Sequence, residues 1–164
     1  MKRIAYLSLG SNLGDREANL REAIVRLREL GSVSKVSALY ETEPVEVSGQ
    51  QPWFLNCAAS IETELTPLEF LKRMLAIEQS MGRKRTEPKG PRTIDADIIF
   101  FGDEVVDKKE LSIPHPAMQH RRFVLAPLAE IAPEARHPVL QRTVRELLNS
   151  LPADSGAVRR YRQI

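Results

Sequence analysis

Apolar positions along the chain fall into two rhythms, and the switches between them predict the elements. The run Ile4, Ala5, Tyr6, Leu7, Leu9 predicts a strand over 4–9, ending in the small, polar turn Gly10, Ser11, Asn12, Leu13, Gly14, Asp15. From 16 to 30 the residues Leu20, Ala23, Ile24, Leu27 and Leu30 return at helical spacing. Asp15 is a suitable cap for that helix and Gly31 a natural stop. Val33, Val36 and the segment to Tyr40 predict a second strand, and 41–52, with Pro44, Gly49 and Pro52, reads as a loop. Phe54 to Ile61 is a third strand. Thr66 as N-cap and Pro67 in the first turn start a second helix, carried on by Leu68, Leu71 and Leu75 and ended by Gly82. A basic loop over 83–92 leads into a fourth strand over 95–101. Residues 103–113 read as a small hairpin, Ile113-Pro114-His115-Pro116 as a rigid extended turn, and 121–132 and 143–151 as helices bounded by prolines.

The order strand, helix, strand, strand, helix, strand predicts an α+β chain. It is the ferredoxin-like βαββαβ arrangement, an antiparallel sheet with helices on one face, here with C-terminal helical additions. The opposite face is expected to be free, flanked by the loops 41–52 and 83–93, and so available to a ligand. At 164 residues a single domain over 1–164 is the simplest organisation.

Composition narrows the function. A net charge of +2 gives little support to general nucleic-acid binding. The single Cys57 has no internal disulfide partner and no zinc-ligand pattern is present, which points to a reducing, cytoplasmic setting. The apolar start is too short for a secretory segment, and no run reaches membrane-spanning length. A monomer acting on small molecules, with neither nucleic acid nor membrane as partner, is the expectation. Charge is uneven, however: Arg83, Lys84, Arg85, Lys89 and Arg92 stand against Glu87 alone between 83 and 92. A second basic cluster, Arg159, Arg160 and Arg162, reads as a solvated end.

The basic loop ends in Gly90-Pro91-Arg92-Thr93-Ile94-Asp95-Ala96-Asp97. On a strand, Asp95 and Asp97 share a face with their Cα atoms roughly 6.5–7 Å apart. Two such carboxylates need a shared proton, an arginine or a divalent cation between them, and hard oxygen ligands suit magnesium. Paired carboxylates beside arginines are what phosphoryl or nucleotidyl transfer requires. Phe54 and Asn56 share a face by period two, as core and backbone partner or as a site for a flat heterocycle. His115 is open to a structural reading or to a functional one, as a phosphate contact or a proton donor.

The stretch Gly90 to Ile98 resembles the signature of the 6-hydroxymethyl-7,8-dihydropterin pyrophosphokinase family. The resemblance extends through Gly10-Ser11-Asn12-Leu13-Gly14, Tyr40-Glu41-Thr42 with Pro44, Phe54-Leu55-Asn56, Gly82-Arg83 with Arg85, Ile113-Pro114-His115, Met118, Arg121, Phe123, and Leu125 to Pro133. It implies transfer of pyrophosphate from ATP to the hydroxymethyl oxygen of the dihydropterin, leaving AMP, in folate biosynthesis. It further implies two Mg2+ ions on Asp95 and Asp97, with Arg83 and Arg92 on the phosphates. Phe54 and Phe123 would sandwich the pterin, with Asn56 and the Thr42, Pro44 and Val45 stretch reading its polar edge. Glu78, Arg83, Arg85, Arg92, Ile98, Ser112, His115 and Arg121 would surround the nucleotide. The chain departs from the family at Pro88 and Lys89, where many members carry arginine and tryptophan. It departs also at Glu110, where some have arginine, at Pro116 where an aromatic can occur, and at Ala96 where leucine or isoleucine is usual. Two other readings of the acidic pair and the fold are a magnesium-dependent nuclease or nucleotidyltransferase and an RNA-binding ferredoxin-like module; Phe100 and Phe101, expected in the core, argue against the latter.

Overall fold

Residues 1–44, 50–82 and 92–164 are described by the structure, a computed structural model. They form β1 (Arg3–Ser11), α1 (Arg16–Leu27), β2 (Ser32–Val36), β3 (Leu39–Thr42), β4 (Phe54–Thr63), α2 (Pro67–Ser80) and β5 (Asp95–Phe101). The short strands β6 (Val106–Asp107) and β7 (Ser112–Ile113) follow, then α3 (Arg122–Ile131), α4 (Val144–Asn149) and β8 (Val158–Arg162). The sheet runs β5-β1-β4-β3-β8, with β2 also on β4, and every pairing is antiparallel. This is the expected ferredoxin-like architecture.

The helix starts are set by the residues that the sequence singles out. Asp15 accepts from the Ala18 N–H at 3.1 Å, and the Thr66 hydroxyl accepts from the Glu69 N–H at 3.2 Å ahead of Pro67. Each satisfies an amide that a helix start would leave bare. α1 and α2 cover one face of the sheet, burying Leu20, Leu27, Phe70 and Met74 against Leu7, Leu9, Leu55 and Ile61.

Three differences from the sequence-based expectation shape the site. The expected strand over 33–40 is two strands, because β2 and β3 reach β4 in different registers across a break at Ser37 and Ala38. Ser37 spans that break by accepting from the Ala58 N–H at 2.9 Å. Second, the face opposite α1 and α2 is covered over part of its area: α3 and α4 bury Val124, Leu125, Leu128 and Leu147 against Ala58, Ile99 and Phe100. Third, the basic C-terminal cluster has the exposed side chains expected of it, but its backbone lies in β8, a strand paired with the outer edge of β3, so the C-terminal additions are not helical alone. An edge position asks for backbone pairing and not for buried side chains, which is why such a charged segment folds as a strand.

Phe100 and Phe101 are both buried, as expected, yet on opposite faces. The register shifts so that Tyr6 faces Phe100 and Leu7 faces Ile98, which leaves Ile99 as one extra residue on β5. The bulge turns Phe101 toward Phe70, their rings edge to face with centroids 5.8 Å apart.

Candidate active site

Antiparallel pairing places opposite residues on the same face, and here it lines up one row across four strands. Asp95 faces Gly10, Gly10 faces Asn56, and Asn56 faces Tyr40; the next rows pair Asp97 with Ser8 and Thr42 with Phe54. All of these lie on the α3 side of the sheet. Gly10 is needed at the centre of the row, because a Cβ there would sit 2.6 Å from Asn56 Nδ2 and 3.3 Å from the Phe54 ring. The missing side chain is a floor over which Phe54 and Asn56 lie.

Asn56 is 4% exposed and is held from two sides. Its Nδ2 donates to the Leu9 carbonyl at 3.3 Å, and its Oδ1 accepts from the Thr42 hydroxyl. An amide group has two donor hydrogens and two acceptor lone pairs, so a fixed Asn56 keeps one of each for a ligand. Tyr40, next in the row, donates its hydroxyl to Glu130 of α3 at 2.6 Å. Burial, and then that carboxylate, push the Tyr40 hydroxyl up to about 12, so it stays neutral.

Asp95 and Asp97 are both half-buried at the open end of β5. For Asp95 the counter-charge is Arg92, whose Nη1 lies 2.7 Å from Oδ2, each side chain being 22% exposed. Asn12 fixes the backbone of Arg92. The Arg92 N–H donates to Asn12 Oδ1 at 2.8 Å, and the Asn12 N–H donates to the Arg92 carbonyl at 3.0 Å. The Asn12 amide also donates to Gln51 Oε1 at 3.1 Å and to the Pro52 carbonyl at 3.2 Å. One buried side chain thus ties the approach to β5 to the approach to β4.

Beyond the β5 edge lies a cleft of about 480 Å³, within the roughly 300–1,000 Å³ that suits a small ligand. Asp97, Ile98, Ser112 and His115 line it together, with Leu71 and Leu75 of α2 and with Lys109 and Glu110. The Ile113–Pro114 peptide bond is cis, and the His115 N–H donates to the Ile99 carbonyl at 3.1 Å, which seats the turn against β5. His115 Nδ1 accepts from the Ala117 N–H at 3.2 Å.

Of the residues expected from the sequence, Arg92, Asp95 and Asp97 gather at the β5 mouth; Thr42, Phe54 and Asn56 gather beside Gly10; and Ile98, Ser112 and His115 line the cleft. Pro44 is half-buried just past β3. Phe123 lies in the first turn of α3, packed on the same sheet face, with the Arg121 guanidinium 5.6 Å from its ring centre. Glu78 is buried on α2, one turn beyond Met74 of the cleft wall, and does not line the cleft. Val45, Arg83 and Arg85, with Pro88 and Lys89, lie outside the described residues. The structure adds Gly10 as a floor and Asn12 as a joint. Period-two reading of β1 could have found Gly10, whereas nothing local marks the partners of Asn12.

Residues 6–133 match the family model described as 7,8-dihydro-6-hydroxymethylpterin-pyrophosphokinase (HPPK). The chain belongs to this family. The HPPK match takes in every candidate residue named above. Among relatives, the 2-amino-4-hydroxy-6-hydroxymethyldihydropteridine pyrophosphokinase of Bacillus subtilis is 43% identical over 165 residues, covering 99% of this chain and 93% of that protein. The folic acid synthesis protein fol1 of Schizosaccharomyces pombe is 42% identical over 161 residues, and there the match covers 97% of this chain but 22% of the relative. The crystal structure of wild-type Plasmodium falciparum HPPK-DHPS with SDX-DHP superposes with a TM-score of 0.73 at 22% identity, over 91% of this chain and 44% of that one. At that identity the likeness speaks for the fold.

Proposed function

We propose that this HPPK chain transfers pyrophosphate from ATP to 6-hydroxymethyl-7,8-dihydropterin, giving the pterin diphosphate and AMP, in folate biosynthesis. The observation that carries the reading is the position of Asp95 and Asp97. They stand between the Gly10, Asn56 and Phe54 floor on the inner side of β5 and the cleft of Ile98, Ser112 and His115 on its outer side. A heterocycle on the floor and a nucleotide in the cleft would meet at the two carboxylates.

In the proposed reaction the hydroxymethyl oxygen attacks the β-phosphorus and loses its proton to solvent. The bond from that phosphorus to the oxygen bridging it to the α-phosphate breaks, and AMP leaves. Positioning supplies most of the rate in such a transfer. Phe54 and Phe123 stack the pterin, while Asn56, using its remaining donor and acceptor, and the Thr42, Pro44 and Val45 stretch read its edge. Arg92, with Arg83 and Arg85, takes phosphate charge. Ile98, Ser112, His115, Arg121 and Glu78 belong to the nucleotide side.

The donor set fits magnesium. Asp95 and Asp97 offer hard oxygens on one face, and no group of three or more metal-ligating side chains occurs among the described residues. Magnesium is commonly held by one or two carboxylates, with water and substrate phosphates completing its shell. Two Mg2+ ions on these aspartates would neutralise phosphate oxygens and lower the pKa of the substrate hydroxyl.

A monomer in the cytoplasm is part of the same proposal. Cys57 is a buried free thiol that burial pushes up to about 12, and no helix among the described residues is long and apolar enough to cross a membrane. The test is chromatographic: AMP is expected from ATP and magnesium only when the pterin alcohol is added. Cleavage of a polynucleotide in place of pterin-dependent AMP would overturn the reading in favour of a nuclease.

A further inference from the structure

The C-terminal strand lies beyond the residues that the family model matches, and it carries a cluster the proposed reaction does not use. Glu41 stands at the end of β3, opposite Leu55, so its side chain lies on the α1 face, behind the Thr42 and Phe54 pair. Two arginines from separate elements converge on its carboxylate. Arg16 of α1 donates from Nη2 to Oε2 at 2.9 Å, and Arg159 of β8 donates to Oε1 through both Nε and Nη2.

The same two arginines also hold Trp53, the residue before β4. Arg16 Nη1 donates to the Trp53 carbonyl at 2.8 Å, and the Arg159 guanidinium lies 5.3 Å from the centre of the Trp53 ring. The backbone follows suit, since the Glu43 N–H donates to the Ala157 carbonyl at 2.9 Å. Farther along β8, Arg162 pairs with Glu17 and ties the strand directly to α1. The Glu41 carboxyl is held below the usual carboxylate range, by Arg159 first and Arg16 after it, so it is ionised at neutral pH.

We propose that β8 is a clasp for the pterin side of the site, in which Arg159 and Arg16 are positioning residues that act through Glu41 and Trp53 on Thr42, Phe54 and Asn56. This rests on the pterin reading of that row. The physical reason is the shortness of β3. Its four residues carry Thr42, whose hydroxyl must stay on Asn56 if the amide is to present its remaining donor and acceptor, and small displacements of such a group cost binding steeply. Without β8 the outer edge of β3 would be unpaired, leaving its pairing with β4 and the Arg16 contacts to Glu41 and Trp53 to hold the stems of the two strands.

The test is Arg159→Leu, an exposed position whose side chain is 71% accessible, so that the fold does not depend on its burial. Calorimetry would follow the pterin alcohol, added with magnesium and a non-hydrolysable ATP analogue, and the analogue on its own. The pterin dissociation constant is expected to rise about fivefold, the combined scale of one exposed ion pair and one cation–aromatic contact. Analogue affinity should stay within about twofold, since neither contact reaches the β5 edge. Arg159→Lys should recover part of the loss, Glu41→Gln should weaken the pterin in the same direction, and the double variant should lose less than the sum of the two single losses because the Arg159–Glu41 pair is common to both. Unchanged pterin affinity in Arg159→Leu, or equal weakening of both ligands, would overturn the clasp alone. A wild-type protein that binds no pterin would overturn the functional reading and the clasp with it.

Discussion

Asn12 and Arg92 are joined twice, backbone to backbone at 3.0 Å and Arg92 N–H to Asn12 Oδ1 at 2.8 Å, while the other end of the Asn12 amide holds Gln51 and Pro52. The two halves of this amide can be separated by mutation. Asn12→Asp keeps the acceptor for Arg92 and loses the donor for Gln51 and Pro52. Pterin affinity is expected to fall about tenfold, with analogue affinity changed much less, because losing the donor to Gln51 and Pro52 leaves acceptors unsatisfied, at a cost of about 1–3 kcal/mol. Paired titrations of the two ligands check this, and equal losses would show that the joint acts on both sides alike.

On the proposed metal assignment, Arg92 and a metal compete for Asp95. With Arg92 Nη1 2.7 Å from the carboxylate, Arg92→Gln should raise the affinity of the substrate-free protein for magnesium or manganese while lowering turnover by about a hundredfold or more, since a phosphate-binding charge is lost. Manganese binding followed by electron paramagnetic resonance, beside steady-state AMP release, reads both effects. A variant that binds manganese more weakly than wild type would contradict the competition.

Asp97→Asn changes no shape and leaves a half-buried group at the cleft wall. Turnover should fall by about a thousandfold or more with the unfolding midpoint within a few degrees of wild type, because a carboxylate proposed to hold metal is removed and no core contact with it. Near-normal turnover at saturating magnesium would remove Asp97 from the metal assignment.

Gly10→Ala places a Cβ against Asn56 and Phe54, both of which are already seated. Crowding of this kind costs about 1–3 kcal/mol, so pterin affinity should fall by about ten- to a hundredfold while the cleft proposed for the nucleotide is untouched. Binding measured separately for the two ligands decides it.

His137 gives the C-terminal unit a pH dependence. Its ring is buried, and Nδ1 accepts from the Val139 and Leu140 N–H groups, at 3.2 and 3.0 Å. Burial holds its pKa below 6.5 in the fold, so the unfolded chain binds the proton first. Stability from this group is therefore full above pH of about 6.5 and is lost as pH falls through the folded value. Urea unfolding at pH 7.5 and 5 should show a larger loss for wild type than for His137→Asn.

Legibility in the sequence followed the physics of each signal. Elements with one buried face, such as α1 and α2, announced themselves by apolar period, β4 did so as a nearly continuous run buried on both faces, and Asp15 and Thr66 marked helix starts because capping is local. β8 was silent because an edge strand of Val158, Arg159, Arg160, Tyr161 and Arg162 buries almost nothing, and its partner is a strand formed more than a hundred residues earlier. The apolar stripe of α3 showed that it would pack, but not on which side of the sheet. In the site, the carboxylate pair was visible from spacing alone. The work of Asn12 was not, since its partners lie 39 to 80 residues away.

The extra residue at Ile99 puts the two ends of β5 out of phase. Asp95 and Asp97 face the same side as Phe100, while Phe101 joins Ile98, Ala96 and Ile94 beneath α2. A one-residue deletion there would force a choice: either the aromatic pair keeps its places and both carboxylates rotate into the hydrocarbon interior, or the carboxylates stay and Phe100 and Phe101 exchange sides. The length of this strand is thereby as constrained as its chemistry.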